Sequence, residues 1–224
     1  KEKMPSKLKL YITNRNYSSW SLRPWLLMKQ LGIPFDEEYV ELVSGSYRQP
    51  QWRSFSPVAR VPCLHDFGHP ENDALVLWES IAIVEHLAEI FPERRVYPAE
   101  REARAWARSA VAEMHAGFGV MREEMGMNVG LRVELGEEKM GEGLRGDLKR
   151  VGELWAEGLG RFGGPWLAGG EFGAVDAFFA PVVLRVVTFV GAEGAVVRGL
   201  DGEGGRLVRG YMERVRGLEW VGVW

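Results

Sequence analysis

Residues 59–87 read ARVPCLHDFGHPENDALVLWESIAIVEHL, and the changes of period inside them decide the fold. Residues 61–66 form an apolar strand pattern, interrupted early by Pro62. Proline removes a ladder donor, so it belongs at an edge or at a strand start. Residues 66–73 are turn-rich, and 75–78 (LVLW) read as the next strand. At Glu79 the period becomes helical, with Ile81, Val84, Ala88 and Phe91 on one side. Two strands joined by a tight connection predict an antiparallel hairpin that feeds a helix.

Upstream, residues 9–13 predict a strand and 14–17 a polar loop. From Ser18 a helix follows, with Leu22, Trp25, Leu26 and Lys29 on one face and Gly32 as its stop. A strand at 35–42, a polar loop at 44–51 and a short helical stretch ending near Pro57 complete a β-α-β-α-β-β-α order. Its βαβ half implies a parallel strand pair. Downstream, 92–99 (PERRVYPA) is a proline-flanked linker, after which strand signals stop. Helical patterns cover 101–125, 144–159, 175–190 and 207–215. The third is apolar all round and predicts the buried central helix of this half. The expected organisation is an α/β domain at 7–92, a linker at 93–99 and an all-helical domain at 100–224.

Of 28 glycines, only Gly32, Gly45 and Gly68 precede residue 116. An interior helical glycine costs about 0.5–1 kcal/mol relative to alanine, so the second half is expected to be looser, above all at 191–205. The glycines match neither a P-loop nor a dinucleotide fingerprint. Hydrophobic residues make up 46% and charged residues 26% of the chain, enough apolar material for a core. A net charge of -3 carries no nucleic-acid or anionic-membrane footprint. The single cysteine, Cys63, excludes an intramolecular disulfide and a cysteine-rich zinc site, and suits a reducing, cytoplasmic setting. The basic N-terminus lacks a signal-peptide pattern, and no apolar run approaches membrane-spanning length. His65 and His69 flank a glycine-containing turn, so no metal is expected there.

Three constellations carry chemistry. Ser18-Ser19-Trp20-Ser21-Leu22-Arg23 begins a helix. Serine there is a favoured N-cap, and it is also placed to stabilise an anion. Val61-Pro62 is either an ordinary strand entry or a cis-proline that leaves the Val61 backbone free for an extended peptide ligand. Glu79-Ser80 is either a polar helix start or a site for a ligand carboxylate, with Glu79 near an ammonium group.

Their order and spacing resemble the cytosolic glutathione S-transferase superfamily. SSWSLR resembles the SSCSxR signature of its serine-type zeta class, and ARVPCL and LWESIAIVEHL resemble its Q-V-P and E-S segments. GGEFGAVDAFFAPVV resembles its helical-domain box, and the likeness covers about residues 8–220. The departures are Trp20 for the zeta-class cysteine, Gly173 for a hydroxyl N-cap and Arg60 for glutamine. The resemblance implies a thioredoxin-like first domain, a homodimer, no metal, and glutathione as co-substrate in detoxification of a small hydrophobic electrophile. Ser18, or in reserve Ser19, would activate the thiol, while Arg60, Val61, Pro62, Glu79 and Ser80 would hold the tripeptide. Met114, Phe118 and Met121, at helical spacing, are either core or electrophile pocket. A maleylacetoacetate-type isomerase and a non-catalytic binding protein are the alternatives. A disulfide-exchange enzyme is disfavoured because Cys63 sits inside a strand.

Overall fold

A computed structural model describes residues 7–42, 49–68 and 74–224. Part of the polar loop at 44–51, part of the turn at 66–73, and His69 lie outside the described residues. The chain divides into two compact units, Lys1–Val96 and Tyr97–Trp224.

The first unit runs β1 (Leu8–Ile12), α1 (Ser19–Gln30), β2 (Asp36–Tyr39), a 3-10 turn (Pro50–Ser54), β3 (Cys63–Asp66), β4 (Leu75–Trp78) and α2 (Ser80–Ile90). The sheet order is β2-β1-β3-β4, with β1 parallel to β2 and antiparallel to β3, and β4 antiparallel to β3. This is the expected order, with the short helical stretch before Pro57 reduced to a 3-10 turn. Leu8, Leu10 and Ile12 alternate into the core, and Leu22, Trp25, Leu26, Leu27 and Met28 of α1 are buried with them. Strand β2 reads DEEY and has little to bury. Polar contacts hold it instead: the Trp25 indole donates to Glu37 at 2.6 Å, Arg15 pairs with Glu37, and Lys9 meets Glu38 at 3.1 Å. His86 Nε2 lies 2.9 Å from Asp66 Oδ2 and ties α2 to β3.

The second unit comprises α3 (Arg101–Ala116), α4 (Gly119–Glu124), α5 (Glu142–Phe162), α6 (Ala174–Thr188), α7 (Ala192–Val197), α8 (Gly202–Arg216) and α9 (Glu219–Val223). Two expectations are corrected. The helix expected over 101–125 breaks after Ala116, and Phe118 takes a left-handed conformation at φ 57°. Its apolar period continues across the break, so the sequence pattern does not register it. Strand signals do not stop at the linker, because β5 (Val133–Glu134) and β6 (Phe189–Val190) form a parallel pair. Two residues are too few to show alternation. The glycine-rich stretch at 191–205 contains α7 and the start of α8.

Two glycines of α5 have a packing reason. A Cβ at Gly152 would lie 1.7 Å from the Val196 carbonyl oxygen, and one at Gly158 would lie 2.4 Å from the Trp106 ring. Their lost helix propensity is offset by close approach of the neighbouring chain.

Helix α6 is the buried centre of its unit, as its composition predicts. Its N-cap, Gly173, has no side chain, and Asp176 supplies the missing acceptors. The Asp176 carboxylate accepts the backbone N–H of Gly173 at 2.9 Å and of Leu167 at 3.0 Å. Complete burial pushes this carboxyl up to about 7, against the pull of both donors.

Asp176→Ala is expected to leave two buried N–H groups without acceptors and to cost roughly 2–5 kcal/mol in denaturant unfolding. The pH dependence has a defined sign. A carboxyl raised in the folded chain is protonated there before it is protonated in the unfolded chain. Its contribution to stability therefore grows as pH falls from about 7 towards the ordinary carboxylate range. Wild type should gain stability between pH ~7.5 and ~5.5 relative to Asp176→Asn, measured by urea midpoints.

Candidate functional site

Strand register brings the three constellations together. Tyr11 of β1 pairs with Cys63 of β3, and Cys63 pairs with Trp78 of β4. The last residues of β1, the first of β3 and the last of β4 therefore lie at one end of the sheet. At that end the chain leaves β1 towards α1, enters β3 through Arg60, Val61 and Pro62, and leaves β4 through Glu79 into α2.

Ser18 is the N-cap of α1 and is nearly buried, as is Ser19. The Ser18 hydroxyl accepts the Ser21 N–H at 3.4 Å and shares a hydrogen bond with the Ser21 hydroxyl at 2.8 Å. The Ser18 N–H donates to the Asn14 carbonyl at 2.9 Å, and the Ser19 N–H to that of Tyr17 at 2.8 Å. The Ser19 N–H is thus engaged within the loop itself. Trp20 lies against the buried Arg23 guanidinium, 4.2 Å from its ring centroid.

The Val61-Pro62 peptide bond is cis, as expected for this strand entry. No hydrogen bond among the described residues reaches the Val61 N–H or C=O. Arg60 is exposed. Its backbone N–H donates to Ser56 Oγ at 3.3 Å, and its guanidinium has no ion pair among the described residues.

Helix α2 starts under strain and without a side-chain cap. Its N-cap Glu79 has φ 68° and ψ 126°, a region that a residue with a Cβ enters at a cost of about 1–3 kcal/mol. Next to it the Ser80 hydroxyl is fully buried and has no hydrogen-bond partner among the described residues. A buried polar group left in this way costs free energy until something pairs with it. The positive end of the α2 dipole points from the same place. Ala59, just before Arg60, is likewise left-handed at φ 53°.

Cys63 begins β3 beside this edge but is buried, and burial pushes its thiol up to about 12. Its Sγ lies 3.3 Å from the Phe55 carbonyl. Met114, Phe118 and Met121 are all buried in the second unit, with Phe118 edge-on to Phe179. Among the described residues no group of three or more His, Cys, Asp or Glu side chains is placed to hold a metal, and no helix is long and apolar enough to cross a membrane. Sequence reasoning gave Ser21 no role, although its spacing of three from Ser18 is the N-cap-to-N3 interval. The buried Ser56 hydroxyl carried no local signal at all.

The family model for the glutathione S-transferase N-terminal domain matches residues 17–90, the span that carries the two helix starts and the strand entry of this edge. Glutathione S-transferase 1 of Dianthus caryophyllus is 24% identical, over 84% of this chain and 80% of its own. A probable maleylacetoacetate isomerase 2 of Drosophila melanogaster is 27% identical, over 80% of this chain and 74% of its own. A glutathione transferase family member from Pseudomonas fluorescens, solved with two glutathione bound, superposes with a TM-score of 0.67 at 19% identity, covering 98% of this chain and 92% of that one. The chain has the glutathione transferase fold, a thioredoxin-like unit followed by a helical one.

The native chain should not react with a disulfide reagent at pH ~8, because a thiol shifted so high holds almost no thiolate. One equivalent should react after unfolding. Fast native labelling, followed by loss of a thiol-disulfide exchange activity in Cys63→Ala, would reinstate the cysteine as a functional group.

Proposed function

We propose that the chain is a glutathione transferase in which Ser18 activates the thiol of glutathione for attack on a small hydrophobic electrophile. The observation that carries the reading is the buried, unpartnered Ser80 hydroxyl at the uncapped start of α2. The γ-glutamyl end of glutathione has one carboxylate and one ammonium. The carboxylate suits the helix start and the Ser80 hydroxyl, and the ammonium suits Glu79. The open Val61 backbone suits the main chain of an extended peptide, and the exposed Arg60 suits the glycyl carboxylate.

The energetics are adequate without metal or general base. The free thiol has a pKa of about 8.5, and lowering it by two units requires about 2.7 kcal/mol. A charge-assisted hydrogen bond from a hydroxyl supplies roughly 1.5–3 kcal/mol and a helix start a further 0.3–1. Ser18, as the N-cap of α1, combines a hydroxyl with the helix start, which favours it over Ser19. Met114, Phe118 and Met121 remain the candidates for the electrophile's surroundings. A maleylacetoacetate-type isomerase is the second reading, favoured by the similarity to the Drosophila melanogaster protein. Trp20, in place of the zeta-class cysteine, speaks against it.

In a conjugation assay, Ser18→Ala should lower turnover near neutral pH roughly ten- to hundredfold, with the deficit shrinking as pH rises. A helix cap alone would cost about 1 kcal/mol of stability and leave the pH profile in place. Glu79→Ala should weaken glutathione binding in calorimetry without unfolding the chain, whereas unchanged affinity would reject the γ-glutamyl assignment. A cytoplasmic homodimer also belongs to this proposal, and light scattering at micromolar concentration tests the dimer.

A further inference from the structure

We propose that Ser21 is a positioning residue for Ser18: it donates its hydroxyl proton to Ser18 Oγ and leaves the Ser18 proton for the glutathione sulfur. The inference rests on the reading of Ser18 as the activating hydroxyl.

A serine hydroxyl has one proton to donate and two lone pairs. Ser18 and Ser21 share one hydroxyl–hydroxyl bond at 2.8 Å, and hydroxyls rotate, so either oxygen is able to donate. Ser21 is fully buried, and Ser18 is its only side-chain partner among the described residues. If Ser18 donates, the Ser21 proton is enclosed with nothing to accept it. If Ser21 donates, both buried requirements are met, and the one remaining proton is on Ser18. Ser18 is 6% exposed as a residue, at the sheet edge where Val61 and Ser80 present polar groups unpaired among the described residues. The second orientation pairs the proton of the fully buried Ser21 and leaves the one unpaired proton on Ser18, the less enclosed of the two, and is the one the packing favours.

The same orientation serves the chemistry. As the thiol ionises, its S–H bond breaks and the proton passes to solvent. The sulfur keeps the electron pair and accepts the Ser18 O–H, and no covalent bond to serine forms. A hydroxyl that already accepts a hydrogen bond is a stronger donor, because linked hydrogen bonds polarise one another. The Ser21 N–H, 3.4 Å from the same oxygen, adds a weaker donor from the helix start. The chain Ser21 to Ser18 to sulfur therefore points one way, and Ser21 holds the Ser18 proton off the protein side.

The test uses glutathione alone as the probe. The pKa of the bound thiol is followed by thiolate absorbance in wild type, Ser21→Ala, Ser18→Ala and the double variant, with thermal stability measured alongside. Ser21→Ala should raise the thiol pKa by about 0.3–0.7 unit, a two- to fivefold loss of thiolate at pH below the pKa. Ser18→Ala should raise it by about one to two units. The double variant should match Ser18→Ala, because Ser21 acts only through Ser18. A Ser21→Ala protein with an unmoved thiol pKa, beside a shifted Ser18→Ala, overturns the relay and leaves Ser18 activation standing. A Ser21 effect that persists in the Ser18→Ala background also overturns it. An unmoved pKa in Ser18→Ala removes serine activation and the relay together.

Discussion

Strand β1 is hydrogen-bonded along both edges, parallel to β2 and antiparallel to β3. With both ladders filled, its register against β3, and through β3 against β4, is set, because a one-residue slip would turn Leu8, Leu10 and Ile12 out of the core. The pairing of Tyr11 with Cys63 and of Cys63 with Trp78 then determines what meets at the end of the sheet. One serine-capped helix start, one strand entry and one strained helix start arrive there from distant parts of the sequence. The candidate site is a consequence of strand register more than of any local motif.

Among the helices that begin without a side-chain cap from the N-cap residue, α2 and α6 resolve that in opposite ways. At α6 the N-cap is Gly173, and Asp176 turns back to take two backbone N–H groups, so that the start is closed from within. At α2 the N-cap is Glu79, held left-handed, and the hydroxyl of Ser80 is buried with no hydrogen-bond partner among the described residues. The first arrangement adds stability to the centre of a helical unit. The second stores strain and an unmet hydrogen bond at the edge of a sheet, and such features persist where a ligand relieves them.

Much of the fold was legible because its signals are periodic. The 75–78 strand, the switch at Glu79 and the apolar run that becomes α6 each declare themselves within a few residues. The break at Phe118 was not legible, since Met114, Phe118 and Met121 keep a helical spacing straight through it. The pair β5–β6 is too short to alternate, and the glycines around α7 read only as a looser stretch. The site divides similarly. Ser18, Val61-Pro62 and Glu79-Ser80 stood out as types of residue at turning points of the chain. The part played by Ser21 depends on its complete burial, and the orphaned state of the Ser80 hydroxyl depends on what surrounds it in space. Neither is encoded in neighbouring residues.

The central claim is that glutathione occupies this sheet edge with its sulfur on Ser18. A crystal structure of the chain soaked with glutathione tests it most directly. The account predicts the sulfur within hydrogen-bonding distance of Ser18 Oγ, the γ-glutamyl carboxylate on the Ser80 hydroxyl, and the peptide main chain paired with Val61. A bound glutathione whose sulfur lies away from Ser18, with the Ser80 hydroxyl still unpartnered, would contradict it.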